Sequence, residues 1–416
     1  MERWRKELYV LWVCNFVVNL GFSLIMPFLP FYVQELGVTE TRRVELWTGA
    51  IFAANFLTMT LFSPIWGAVA DRTGRKLQML RSGFGMALVV GMMGLARNVW
   101  QLLGLRLLQG VFSGFIPAST AYMAANVPRE RAGWALGVLQ TAGAAGTVIG
   151  PLAGGLLARA IGGYRPIFFL TAGACFLAGL VVLLVIRERF TPPPHVGQMS
   201  FVAELRQDLR QAVANPVLLA MMVVYFFNFF GLQTAEPILT LFLQTLDTPA
   251  QWVDVMAGAV FSASGVANVI FAPLLGRMGD RLGYKRVLVY ALGGASVLYL
   301  LQGLATSAWQ LLVLRFLLGA CLGGGFPAAN ALVSRAAGRE FQGRAFGLVN
   351  SAIFIGDVVG PLVGGLVASA WGHRMVFPVT AAALVFNLLW VQRKVPADSG
   401  REAPRDPDRL TPVTDR

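Results

Sequence analysis

Twelve long apolar runs dominate this chain of 416 residues. They fall at about 8–33, 46–70, 77–96, 100–124, 135–159, 165–186, 216–243, 253–275, 286–305, 309–333, 345–369 and 374–392. Each is roughly 18–25 residues long, enough for a helix to cross a hydrocarbon core of about 30 Å. No water is available there to satisfy backbone polar groups, so the runs must close their hydrogen bonds internally as helices. Only 13% of residues are charged and 56% are hydrophobic, against about 25% charged in soluble domains. The expected class is an all-α membrane protein.

Charge then sets the expected orientation. The net charge is +13. With the N-terminus placed in the cytoplasm, most of the 34 Lys and Arg fall in inner segments, leaving Arg42, Arg43, Arg97, Arg159, Arg165 and Arg374 outside. That asymmetry follows the positive-inside rule. It predicts a multi-pass protein of the bacterial cytoplasmic (inner) membrane, with both termini cytoplasmic, and it argues against nucleic acid as a partner. The start, through Glu7, resembles a signal-peptide n-region, but the apolar stretch behind it is too long and lacks a cleavage site. It reads as an uncleaved first span. Cys14, Cys175 and Cys321 each sit in an apolar run and read as small buried side chains. His195 and His373 lack a second ligand at metal spacing, so no metal site and no cofactor are expected.

The runs repeat. Gly67-Ala-Val-Ala-Asp71-Arg72-Thr-Gly74-Arg75-Lys76 returns as Gly276-Arg-Met-Gly-Asp280-Arg281-Leu-Gly283-Tyr-Lys285, offset by 209. Trp100-Gln101, Arg106 and Gly110 return as Trp309-Gln310, Arg315 and Gly319. Gly150-Pro151 with Gly154-Gly155 returns as Gly360-Pro361 with Gly364-Gly365, offset by 210. Three features at nearly one offset imply two homologous six-span halves. The expected organisation is a bundle at 1–186, a linker at 187–215, a second bundle at 216–395 and a disordered cytoplasmic tail at 396–416. Within the linker, Phe201, Leu205, Leu209 and Val213 recur every four residues among charges. That spacing suggests an amphipathic helix on the membrane surface or against the bundle.

Each repeated element has a physical use. The tight hairpin between spans 2 and 3 needs a residue that tolerates positive φ, which Gly74 supplies. Arg72, Arg75 and Lys76 sit at headgroup level. Asp71 is a carboxylate among cations, able to pair with Arg75 or with the positive end of a neighbouring helix. Arg106 and Arg315 are cations inside spans and need a partner or water. For Arg106 a static role, on backbone carbonyls of span 1, is the alternative. Glycines four apart in span 5 let another helix approach closely, while Pro151 bends that span. Glu236, just before Pro237, and Asp357 are acids at membrane depth, where burial makes the ion costly and a proton easy to hold. Against titration during a cycle stands a static role, such as pairing with Arg315.

The Gly-x-x-x-Asp-Arg-x-Gly-Arg-Lys hairpin resembles the signature loop of the major facilitator superfamily, complete in the first half and looser in the second. The resemblance implies a conformational latch of Gly67, Asp71, Arg72, Gly74, Arg75 and Lys76, with Asp280 and Arg281. In it Asp71 would hold the outward-open state near Gly343-Arg344. Arg106-Leu-Leu-Gln109-Gly110 resembles the Arg-x-x-Gln-Gly element of drug:proton antiporters, which implies a part for Arg106 in proton transfer beside Glu236 and Asp357. Gly146, Gly150, Pro151, Gly154 and Gly155 resemble the antiporter motif of exporters. The chain as a whole, through about residue 395, resembles the bacterial drug:proton antiporter-1 group. Span 1 departs from many such relatives in carrying Asn15 and Asn19 where they carry an acid.

That resemblance implies twelve helices in two pseudo-symmetric bundles that rock about a midplane cavity. The expected function is proton-coupled efflux of hydrophobic or amphipathic compounds by a monomer, with lipophilic substrate, protons and membrane lipids as partners. Candidate substrate contacts are Asn19, Phe22, Phe112, Phe115, Tyr122, Phe226, Phe229 and Phe230, an aromatic surface with few donors. A proton-coupled exporter or a uniporter of a specific metabolite, such as a sugar or amino acid, is the alternative. A membrane enzyme would need clustered catalytic groups, and the sequence offers none.

Overall fold

In the computed structural model, residues 2–188, 190 and 215–396 are described, with side chains at all of these except 129, 250 and 338–344. The expected linker helix and tail, and the side chains around Gly343-Arg344, lie outside the described residues. Among the described residues, twelve helices are long and apolar enough to span a membrane. We number them α1 (Arg3–Glu35), α2 (Thr41–Thr73), α3 (Arg75–Gly94), α4 (Val99–Asn126), α5 (Ala132–Ile161), α6 (Arg165–Val185), α7 (Pro216–Gln244), α8 (Val253–Leu282), α9 (Tyr284–Gly303), α10 (Ala308–Ala337), α11 (Ala345–Trp371) and α12 (His373–Lys394).

The repeated Trp-Gln pair is a helix start. Asn98 caps α4 by accepting from the Gln101 N–H at 2.9 Å, while the Gln101 side chain accepts from the Arg97 N–H at 2.8 Å. Ser307 and Gln310 do the same for α10 at 3.3 and 2.9 Å. Two backbone donors are satisfied reciprocally in each half, a variant of the capping box in which the glutamine reaches the residue before the cap. Trp100 and Trp309 beside them are each 69% exposed, at the depth where a ring can face both lipid and water.

Helix breaks have equally local causes. Pro27 lies in a short 3-10 turn that bends α1. In α4 the helix opens at Ser113-Gly114, where Gly114 takes φ 127°. The carbonyls freed there are claimed from α3: Arg81 donates to Val111 O at 3.0 Å and to Ser113 O at 2.9 Å. Its guanidinium also lies 3.7 Å from the Trp66 ring centroid.

Glycine spacing places the long helices. A Cβ at Gly154 would sit 2.6 Å from the Leu24 carbonyl oxygen, so α5 lies backbone to backbone on α1. The second half repeats the contact 210 residues later: a Cβ at Gly364 would sit 2.1 Å from Thr234 O, bringing α11 onto α7. No larger residue fits without separating the helices.

The two bundles meet at one end. Gly155 faces the Asp254 carbonyl oxygen and Gly258 faces that of Pro151, joining α5 to α8. Gly365 faces Glu45 O and Gly49 faces Pro361 O, joining α11 to α2. Near the Gly74 and Gly283 turns, the opposite end, Cβ atoms at Gly67 and Gly276 would meet nothing. Among the described residues, the close glycine contacts between the halves lie at one end, and Gly67 and Gly276 at the other face open space.

Candidate functional site

Four polar side chains gather at membrane depth in the second bundle. Arg315 of α10 is 2% exposed, and its guanidinium lies 5.8 Å from the ring centroid of Tyr299 on α9. Glu236 of α7 interacts electrostatically with both, and Asp357 of α11 interacts with Glu236. Pro237 directly after Glu236 lies inside α7. Arg315 thus interacts with Glu236, and Glu236 in turn with Asp357, so the second carboxylate faces an acid and has no cation among the groups it interacts with.

The first bundle is built differently. Arg106, the equivalent of Arg315, is also 2% exposed and donates through Nη1 to Gln109 Oε1 at 3.0 Å. Its Nε and Nη2 have no hydrogen-bond partner among the described residues. The static role for Arg106 placed it on carbonyls of α1, yet its recorded bond stays within its own helix. On the α1–α4 seam, Asn15 Nδ2 donates to Ser119 Oγ at 2.9 Å, and Asn19 Nδ2 donates to Asn15 O at 2.8 Å. Asn19 also lies beside Gly143 and Gly146.

The aromatic set divides. Phe22, Phe226, Phe229 and Phe230 are half-buried on α1 and α7. Phe226 stacks on Phe230 at 5.8 Å, and Phe229 meets Phe326 at 5.4 Å. Phe112, Phe115 and Tyr122 make packing contacts inside the first bundle. Phe115 is 3% exposed in a core with Met86 and Cys175. The ring of Phe112 presses on Gly85 of α3, where a Cβ would lie 2.1 Å away. Tyr122 is fully buried and donates to Glu7 Oε2 at 3.0 Å.

The hairpin motif is held by a residue the sequence did not single out. Glu188, just beyond α6, accepts from the backbone N–H of Arg75 at 3.0 Å and of Lys76 at 2.7 Å, capping α3. Gly74 takes φ 91°, and a Cβ there would strike Glu188 Oε2 at 2.7 Å. Lys76 Nζ donates to Leu183 O at 3.0 Å; in the second half Lys285 Nζ reaches Gln392 O at 2.9 Å. Asp280 accepts from the Tyr284 hydroxyl. Gly67, Asp71, Arg72 and Arg281 are exposed. Asp71 pairs with no cation among the described residues.

The closed end carries polar joints as well as glycines. Leu152 N–H donates to Ser262 Oγ at 3.2 Å, and Gln34 and Gln244 exchange amides at 3.3–3.4 Å. The Arg159 guanidinium lies 4.0 Å from the Trp252 ring centroid. Tyr164 OH donates to Asp254 Oδ1 at 2.9 Å. His373 Nε2 stands 2.7 Å from Glu45 Oε1, close enough for an ion pair but out of hydrogen-bond alignment. Burial first, and Asp254 second, push the Tyr164 phenol above its ordinary range. Glu7 and Glu45 escaped the sequence reading because each lies one residue outside an apolar run.

Known proteins resemble this chain in sequence and in fold. The chain is 41% identical over 387 residues to "Multidrug resistance protein MdtG" of Serratia proteamaculans, covering 93% of each. It is 42% identical over 388 residues to the protein of the same name from Citrobacter koseri, covering 93% of this chain and 94% of that one. Among solved structures, a point mutant of the nucleoside transporter NupG superposes with TM-score 0.79 at 13% identity, over 94% of this chain and all of that one. A bacterial homolog of the lysosomal transporter Spinster, inward-facing and unoccupied, gives 0.76 at 15% identity, over 97% and 99%. At those identities the likeness speaks for the fold. The Major Facilitator Superfamily model matches residues 11–254 and 221–414. Two six-helix bundles related by the internal repeat, with relatives covering nearly the whole chain, make this chain a member of the major facilitator superfamily.

Proposed function

We propose that the chain is a monomeric, proton-coupled exporter of lipophilic or amphipathic compounds. The observation that carries this reading is the Glu236–Arg315–Asp357 cluster, at membrane depth in a molecule closed at only one end. A carboxylate that can exchange a proton for a substrate cation, within halves that can rock, is the simplest antiport device. The half-buried aromatic surface of α1 and α7 offers apolar area with few donors, which suits variable ligands. The shared name of the relatives supports efflux of several drugs. Both termini are taken as cytoplasmic, so the open end faces inward and the closed end outward.

Protonation of Glu236 or Asp357 from outside then accompanies substrate release, and its loss inside resets the cycle. Arg106 serves the same cycle from the first bundle, and Asp71 latches the inner end when it closes. The test is transport of a lipophilic cationic dye into proteoliposomes with an imposed pH gradient. Wild type is expected to move dye uphill, with Glu236→Gln and Asp357→Asn at least about tenfold slower, a loss of roughly 1.4 kcal/mol or more in the driven step. Equal uphill transport by both variants sinks the coupling assignment. Transport indifferent to the pH gradient sinks antiport itself.

A further inference from the structure

The internal repeat pairs the joints of the closed end. Glu45 and Asp254 are equivalent at an offset of 209, and so are Tyr164 and His373. The Tyr164–Asp254 hydrogen bond and the His373–Glu45 contact are therefore two copies of one joint, each crossing between the halves. Their chemistry differs. A phenol, held protonated by burial and by Asp254, donates in one copy. An imidazole faces the carboxylate in the other, with side chains only 13% and 4% exposed.

We propose that Glu45 and His373 form a proton-binding lock, which tightens the closed end when His373 carries a proton and loosens it as that face becomes alkaline. Imidazoles ordinarily exchange protons near pH 6.5. An imidazolium–carboxylate bond is roughly twice as strong as its neutral counterpart. The surroundings leave this pair to itself. Just before α2, Glu40 is occupied by Arg43 at 2.7 Å, and Arg42 is exposed. Beside His373, Arg374 donates to Gly303 O at 3.1 Å and sits over Phe242. The last turns of α7 and α11 carry no ionisable group, with Asp247 beyond the first. Arg97 precedes α4 on an exposed turn, and Glu35 at the end of α1 pairs with Arg165 at 3.3 Å.

The lock rests on the alternating-access reading in one respect, that the closed end opens. Two measurements separate the failures. A double-mutant cycle in thermal stability, with Glu45→Gln and His373→Gln, is expected to give a coupling of about 2 °C in Tm at pH 6 that shrinks at pH 8.5. Coupling that is zero or equal at the two pH values overturns the lock whether or not the end opens. Spin labels at Thr39 and Ala370, in the full chain with Cys14, Cys175 and Cys321 replaced, then report the gap between halves in nanodiscs. The open fraction is expected to rise several-fold from pH 5.5 to 8 in wild type and Tyr164→Phe, and to be flat in His373→Gln. A His373→Gln profile matching wild type overturns the lock. Absence of opening in every chain at every pH overturns alternating access, and the lock with it.

Discussion

Glu188 holds the N-terminus of α3 by accepting from the Lys76 N–H at 2.7 Å, across more than a hundred residues of sequence. A carboxylate on the positive end of a helix gains from both hydrogen bonding and the aligned peptide dipoles. Glu188→Ala is expected to cost about 1 kcal/mol, or roughly 2 °C in Tm for a protein of this size. Gly74→Ala is expected to cost more, since it adds strain at φ 91° and a clash with the same carboxylate. Thermal melts of the purified protein in detergent check both.

The seam glycines should behave as twins. A Cβ at Gly155 would stand 2.4 Å from Asp254 O, and one at Gly365 would stand 2.7 Å from Glu45 O. Both neighbours are backbone and cannot swing aside. Overpacking costs about 1–3 kcal/mol, so Gly155→Ala and Gly365→Ala are each expected to raise the population open at this end by roughly five- to a hundredfold. Thiol accessibility of a cysteine placed in the seam measures that shift.

Arg315 and Glu236 are expected to be strongly non-additive. They interact electrostatically without a direct ion pair, so each in part compensates the other, and removing one alone leaves the remaining charge costly at membrane depth. Arg315→Met alone should lower Tm sharply, while Arg315→Met with Glu236→Gln should recover most of the loss. A double variant no better than Arg315→Met would mean that the two groups do not compensate each other.

Tyr164 gives a pH dependence with a definite sign. Its folded-state pKa is raised above the ordinary value of 10.0 by burial and Asp254. Its contribution is fully present below pH 10 and is lost as pH rises above it, because the unfolded phenol ionises first. Tyr164→Phe is expected to lower stability at pH 8 by about 1 kcal/mol, yet to flatten the alkaline decline between pH 10 and 11.5. Melting curves across that range check the prediction.

Period and charge made the spans legible, because a bilayer demands about twenty apolar residues of every crossing helix. Repeats made the halves legible, and glycine spacing in α5 and α11 made the close helix pairs legible. Partners chosen in three dimensions were not. Glu188 reads locally as one more charge beyond a span, and only the return of α6 toward α3 shows what it caps. His373 and Glu45 lie 328 positions apart, and neither residue type announces the other. The burial of Phe115 and Tyr122 was not legible either, because an apolar helix gives no sign of which side faces a bundle partner. Span limits were legible to within a few residues, and that tolerance is what hid Glu7 and Glu45.

The paired seams carry a wider consequence. Gly155 against Asp254 and Gly365 against Glu45 make the two bundles meet through a joint that is its own image. In an assembly of identical subunits such a surface is isologous, and one patch closes a two-fold dimer without leaving an open edge. Each six-helix half therefore presents both faces of a self-complementary interface, so an unfused half-length chain would already hold the geometry needed to build the whole. Covalent fusion freed the two copies to diverge. An imidazole can replace a phenol on one side, and paired acids can arise in one bundle, while the backbone contacts that fit the halves together stay the same.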